Sequence, residues 1–73
     1  MNVPLIRVGY GDVTVTYDPC LPPLQRFTVR WLGGRIVRLR APRAEAHRAL
    51  VRECRLPAAV ASRLLDQAQG LEP

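Results

Sequence analysis

Apolar residues fall at every second position through most of the first forty residues of this chain, and then switch to a spacing of three and four. Residues 4–8 and 12–17 alternate on either side of Gly9-Tyr10-Gly11, which predicts a hairpin. A two-residue and a four-residue loop give the same parity. Either way Ile6, Val8, Val13, Val15 and Tyr17 face a core, while Arg7, Thr14 and Thr16 face away from it. Pro4 has no amide to donate, which suits an edge position for this first strand.

The stretch RFTVRWLGGRIVRLR, residues 26–40, predicts a second hairpin turning at Gly33-Gly34. With a two-residue loop both faces would mix arginine with apolar bulk. A three-residue loop, Leu32-Gly33-Gly34, shifts the pairing by one and sorts the faces. Phe27, Val29, Trp31, Val37 and Leu39 then point to the core, and Arg26, Thr28, Arg30, Arg38 and Arg40 point outward. Burying one face penalises the mixed register, so the three-residue loop is expected, with Trp31 between sheet and helices and Arg30, Arg38 and Arg40 exposed together. Between the hairpins runs Asp18 to Gln25, whose prolines at 19, 22 and 23 forbid regular ladder pairing. Cys20, Leu21 and Leu24 make this connector apolar for a loop, and it is expected to fold as a lid over the open end of the core or to serve as a preordered loop for a partner.

After Arg40 the helical spacing begins. Pro42, Ala46, Leu50 and Cys54, flanked by His47 and Val51, predict an amphipathic helix over about 42–55, with Glu45 in the first turn and Arg52 and Arg55 in the last complementing its dipole. Leu56-Pro57 breaks the path. Val60, Ala61, Leu64, Leu65 and Ala68 then define a second helix that stops at Gly70. The predicted class is α+β: a four-stranded, mostly antiparallel sheet of two hairpins, with two C-terminal helices on one face. Leu50, Val51, Cys54, Val60, Leu64 and Leu65 complete the predicted core. A runner-up arrangement keeps only the second hairpin in a continuous sheet and uses the first in a dimer.

One domain spans residues 1–73, a β region over about 3–40 and a helical region over about 42–70. A chain this short buries only about 60% of its unfolded surface, so a stability of roughly 4–10 kcal/mol and a tendency to form a homodimer are expected. MNVPLIRVGYGD has no apolar stretch of signal-peptide length, and no run reaches the roughly 18 residues of a membrane helix. A cytoplasmic location, with no membrane partner and Cys20 and Cys54 as free thiols, follows as the expectation.

Charge adds a direction. The net charge of +5 comes from eleven arginines and no lysine, and five of those arginines lie between residues 26 and 40. The outward face would gather Arg7, Arg26, Arg30, Arg38 and Arg40 with Thr14, Thr16 and Thr28 and no carboxylate. Guanidinium and hydroxyl donors in that arrangement suit phosphates or carboxylates. Aromatic rings for base stacking are missing from the face.

From Arg35 to Ala68 a basic strand, a helix, a break and a second helix succeed one another, an order that resembles the ribbon-helix-helix family of DNA-binding proteins. The resemblance implies Ile36, Arg38 and Arg40 toward DNA, with Val37 and Leu39 toward the core. It covers about half the chain and departs from the family at the Gly33-Gly34 turn, at Leu56-Pro57 and in the β region that precedes it.

Catalytic and metal-binding patterns are sparse. His47 and Cys54 stand seven apart on one helical stripe, but a third protein ligand would have to come from distant Cys20, so no metal and no cofactor are expected. Neither a phosphate-cradling glycine loop nor a nucleophile elbow occurs. The function expected is a non-catalytic interaction or accessory module that binds an acidic protein partner through Arg7, Arg26, Arg30, Arg38 and Arg40 and a loop of Cys20, Leu21 and Leu24. The alternative is a DNA- or RNA-binding protein using the same arginine face.

Overall fold

Both hairpins belong to one antiparallel sheet. The computed structural model describes residues 6–71, so Pro4 lies outside them. Strands β1 (Ile6–Tyr10), β2 (Val13–Tyr17), β3 (Phe27–Trp31) and β4 (Ile36–Ala41) are followed by α1 (Arg43–Arg52) and α2 (Ala58–Gln69). The strands lie in the order β1-β2-β3-β4, which makes β1 an edge strand and takes up the first hairpin within the sheet. The turn between β1 and β2 is the two-residue loop Gly11-Asp12, with Gly11 in the left-handed region (φ 58°). Val8 then pairs with Val15 and Ile6 with Tyr17. Val13 and Val15 are buried as the alternation predicts.

The three-residue loop of the second hairpin is also present. Trp31 N donates to Arg35 O at 2.8 Å, Gly34 N donates to Trp31 O at 2.8 Å, and Gly34 has φ 96°. Beyond the turn, however, β4 departs from the simple ladder at two bulges. Arg30 faces Ile36, but Val29 faces Arg38 and Phe27 faces Ala41. Each bulge inserts residues on β4, so the period of two inferred from the turn fails along the strand. Two expectations are corrected as a result. Leu39, expected in the core, is 54% exposed, and Arg38, expected on the outward face, lies opposite buried Val29 and reaches Glu53 at the end of α1 (3.7 Å). Arg40 takes up the slack in a left-handed conformation (φ 49°), and its amide donates to the Thr28 hydroxyl at 3.2 Å. Small Ala41 is thereby set against bulky Phe27, both of them buried, directly before the chain turns into α1.

The helices cover the face that carries Val13, Val15, Phe27 and Val29. Leu50, Leu64 and Leu65 fill the space between layers as predicted. Much of the rest of the helical contribution is alanine: Ala46, Ala49, Ala61 and Ala68 are all at most 1% exposed. Side chains of that size let helix and sheet backbones come close. Val51, Cys54, Val60 and Trp31 pack around this centre half-buried, so Trp31 sits on the core side of the sheet but at its rim. The connector is not a lid on this core. Its 3-10 turn (Pro23–Gln25) buries none of its residues, Leu24 is 71% exposed, and Leu21 turns to the opposite, outward face of the sheet.

Pro42 precedes α1 without a side-chain cap. At the far end Leu56 N returns to Leu50 O (3.0 Å), which requires Arg55 to adopt φ 57°. α2 also ends at a left-handed residue, Gly70 at φ 73°, with Leu71 N on Asp66 O (2.8 Å), as the glycine predicted. Left-handed backbone strains an arginine and not a glycine. Arg55→Gly should therefore stabilise the protein by about 0.5–1 kcal/mol, the relieved strain less the added freedom of the unfolded chain. A thermal melt checks this: an unchanged or lower midpoint would place the strain elsewhere.

Candidate functional site: an arginine-lined groove

On the sheet face away from the helices, four strands and the connector enclose a groove of about 300 Å³. Arg7 enters from β1, Thr16 from β2, Thr28 and Arg30 from β3, and Leu39 and Arg40 from β4, while the connector contributes Asp18, Leu21 and Arg26. The alternation of β1 to β3 places the first of these, since Arg7 pairs with Thr16 and Thr16 with Thr28 across the sheet. The double bulge adds Leu39, which it turns outward beside Arg40.

The groove's cations differ in how they are held. Arg26 Nε donates to Leu21 O at 2.8 Å, which ties the connector to the start of β3. Thr28 is buried and accepts the Arg40 amide, leaving its hydroxyl hydrogen free for another acceptor. Thr14, opposite Arg30, donates to the Arg30 carbonyl at 3.4 Å. Arg30 itself is half-buried, and its Nε is fully buried with no hydrogen-bond partner. An unsatisfied buried donor costs about 1–3 kcal/mol, more when charged, so a shift of the Arg30 side chain that brings Nε to an acceptor is favoured. Asp18 is the one carboxylate in the lining, where none was expected; one of its oxygens already accepts the Cys20 amide at 2.9 Å.

Of the five arginines singled out in the sequence, Arg7, Arg26, Arg30 and Arg40 line this groove and Arg38 does not. Of the loop residues, Leu21 lines it, whereas Leu24 and exposed Cys20 do not. Ile36, Arg38 and Arg40 do not form the single DNA-facing row implied by the ribbon-helix-helix resemblance: Ile36 pairs with Arg30, Arg38 with inward Val29. Leu39 and Asp18 were missed by sequence reasoning. Asp-Pro at the start of a proline-rich connector hints at a turn there, but Leu39 carries no signal apart from the bulges.

The remaining candidate chemistry is arranged differently. His47 Nε2 lies 3.3 Å from Ala58 O and 3.2 Å from Ser62 Oγ. With the hydrogen on Nε2 it is shared between the Ala58 carbonyl and the Ser62 hydroxyl, and in that tautomer Nε2 takes no proton from Ser62. The pair joins two helices. Beside it Arg43 binds Asp66 at 2.7 Å and also donates to Gln69. Burial, with a smaller contribution from Glu53, pushes the half-buried Cys54 thiol above its ordinary pKa, away from the thiolate a nucleophile or ligand needs. Cys20 and Cys54 are both free thiols. Among the described residues no three of His, Cys, Asp and Glu come together to hold a metal ion, and no helix is long and apolar enough to cross a membrane.

Comparison of the chain with protein-family models, with curated proteins and with solved structures gives no match.

Proposed function

We propose that this protein is a non-catalytic interaction module that captures an acidic segment of a partner protein in the arginine-lined groove. The observation carrying this reading is the convergence of Arg7, Arg26, Arg30 and Arg40 on one groove, with Arg30 Nε left without a partner. A carboxylate placed there receives charge-assisted hydrogen bonds from guanidinium groups and from the Thr28 hydroxyl. Leu21 and Leu39 supply apolar surface beside it, which matches the aliphatic carbons of a peptide better than a sugar-phosphate backbone. A groove of this volume takes one or two side chains, not a line of phosphates, and Asp18 at its wall opposes a dense polyanion. The groove's walls all come from one chain, so a second copy is not needed to complete it. Free thiols at Cys20 and Cys54 fit a cytoplasmic site of action.

The test pairs one variant with three probes. Arg7, Arg30 and Arg40 are changed together to Gln, and binding to a synthetic peptide of alternating aspartate and leucine, to duplex DNA and to single-stranded RNA is measured across a salt series. The expected result is peptide binding weakened by roughly tenfold or more with the fold retained, because Arg7 and Arg40 are exposed charges that contribute little to stability and half-buried Arg30 gives up a donor that has no partner. Peptide binding that ignores the substitutions overturns the assignment. Should the DNA or RNA bind instead, with a salt slope that flattens by up to about three on substitution, the groove is a phosphate-binding surface and the nucleic-acid reading replaces this one.

A further inference from the structure

A second hollow lies on the other side, along the outer surface of the helix pair. It is an open groove of about 710 Å³ that follows α1 from Arg43 to Arg52 and is walled on its far side by Ala58 and Ser62 of α2. Ala46, Ala49 and Leu50 face the core, so the groove occupies the opposite flank of α1. Its apolar floor is Ala44, Val51 and Ala58, and the two alanines leave room for another backbone to come close. The inner polar groups are largely engaged: Arg43 by Asp66 and Gln69, and His47 Nε2 by Ala58 O and Ser62 Oγ.

Arg48 and Arg52 border the groove in a different condition. They stand one turn apart on α1, where like charges repel, and neither has an ion-pair or hydrogen-bond partner among the described residues. No carboxylate lines the groove.

We propose that this groove docks an acidic amphipathic helix of a partner protein, apolar face on Ala44, Val51 and Ala58, and carboxylates on Arg48 and Arg52. The shape favours a helix: α1 presents about 15 Å of open trough, the rise of ten residues, and not a closed pocket. The charge favours a partner more acidic than a second copy of this chain. With a net charge of +5, and with Asp66 and Glu53 engaged by Arg43 and Arg38, a second copy would bring only Glu45 of its α1 to meet Arg48 and Arg52. This site is separate from the sheet-face groove and does not rest on it.

The experiment titrates the isotope-labelled full chain with a synthetic helical peptide bearing leucines on one face and glutamates beside them, followed by amide chemical shifts. A lysine-flanked counterpart and laurate are run in parallel. Saturable shifts on α1 and the start of α2 are expected, and any at the sheet-face groove should vanish when Arg7, Arg30 and Arg40 are Gln. Binding should weaken by roughly tenfold in Arg48→Glu/Arg52→Glu, two exposed positions where the fold tolerates change, and should be unaltered when Arg7, Arg30 and Arg40 are Gln. Equal binding of the lysine-flanked peptide overturns the proposal. So do shifts on the sheet-face groove with none on α1, or failure of the α1 shifts to approach saturation at about 1 mM peptide. Laurate binding in this groove without peptide binding would make it a site for a small anionic amphiphile, which also overturns it.

Discussion

Leu50→Ala is expected to remove about 2–5 kcal/mol of stability, against a total of roughly 4–10 kcal/mol for a chain of this length, and to leave a large unfolded fraction in the absence of denaturant. Leu50 is 0% exposed and is among the largest side chains completely shielded from solvent, with Leu65, Val15 and Val29. Two terms add in its loss: the transfer free energy of the deleted carbons, and the cavity they leave. The second term should be large here. Ala46 and Ala49 on the same helix are buried and have no side-chain length with which to fill a void. Urea unfolding followed by far-ultraviolet dichroism and by Trp31 fluorescence measures the loss, since Trp31 packs at the rim of this core. Leu24→Ala is the matched control. At 71% exposure in the connector, Leu24 should move the midpoint by no more than about 0.5 kcal/mol. Comparable losses at the two positions would mean that the connector does close the core, contrary to the structure.

What the sequence made legible and what it concealed divide along a physical line. Alternation in residues 6–17 and the 3.6 spacing after Arg43 report which side of an element is dry, and they place Val13, Val15, Leu50, Leu64 and Leu65 correctly. Glycine at 34 and at 70 reports a local backbone need, and both stand at positive φ. Arg40 and Arg55 occupy the same region without any such marker, because tertiary contacts impose the conformation in spite of local preference. The bulges of β4 are of that kind. Periodicity assumes one residue facing one residue, and a strand that inserts residues beyond its turn breaks the rule without altering its composition. Hence alternation brings Arg7, Arg26, Arg30 and Arg40 together correctly, while it puts Arg38 and Leu39 each on the wrong face. The connector's landing on the outward face was hidden for a related reason: Leu21 reads as core by hydrophobicity, and only the bond from Arg26 Nε to its carbonyl shows where it is held.

The bulge nearest α1 also ties stability to the groove, which yields the second large effect. Thr28 is the one buried polar residue among those described, and its hydroxyl accepts the Arg40 amide at the point where the β4 ladder is broken. Thr28→Val keeps the side-chain shape and the β-branching but removes the acceptor. The Arg40 N–H would then be left without this partner, at a cost of about 1–3 kcal/mol. Relief by sliding β4 back into a plain ladder would carry Leu39, part of the groove's apolar lining, inward and set Arg40 opposite Arg26. Either response predicts a lower urea midpoint, faster hydrogen exchange at the Arg40 amide and weaker binding of an acidic peptide in the groove, although the substitution itself removes no charge. Thr28→Ser separates the hydroxyl from the methyl. It should retain most of the amide protection and most of the peptide affinity, while losing roughly 1 kcal/mol through the missing methyl group. If the valine and serine variants instead behave alike at the Arg40 amide, the hydroxyl does not hold the bulge, and the outward placement of Leu39 and Arg40 must come from the pairing of Ala41 with Phe27 alone.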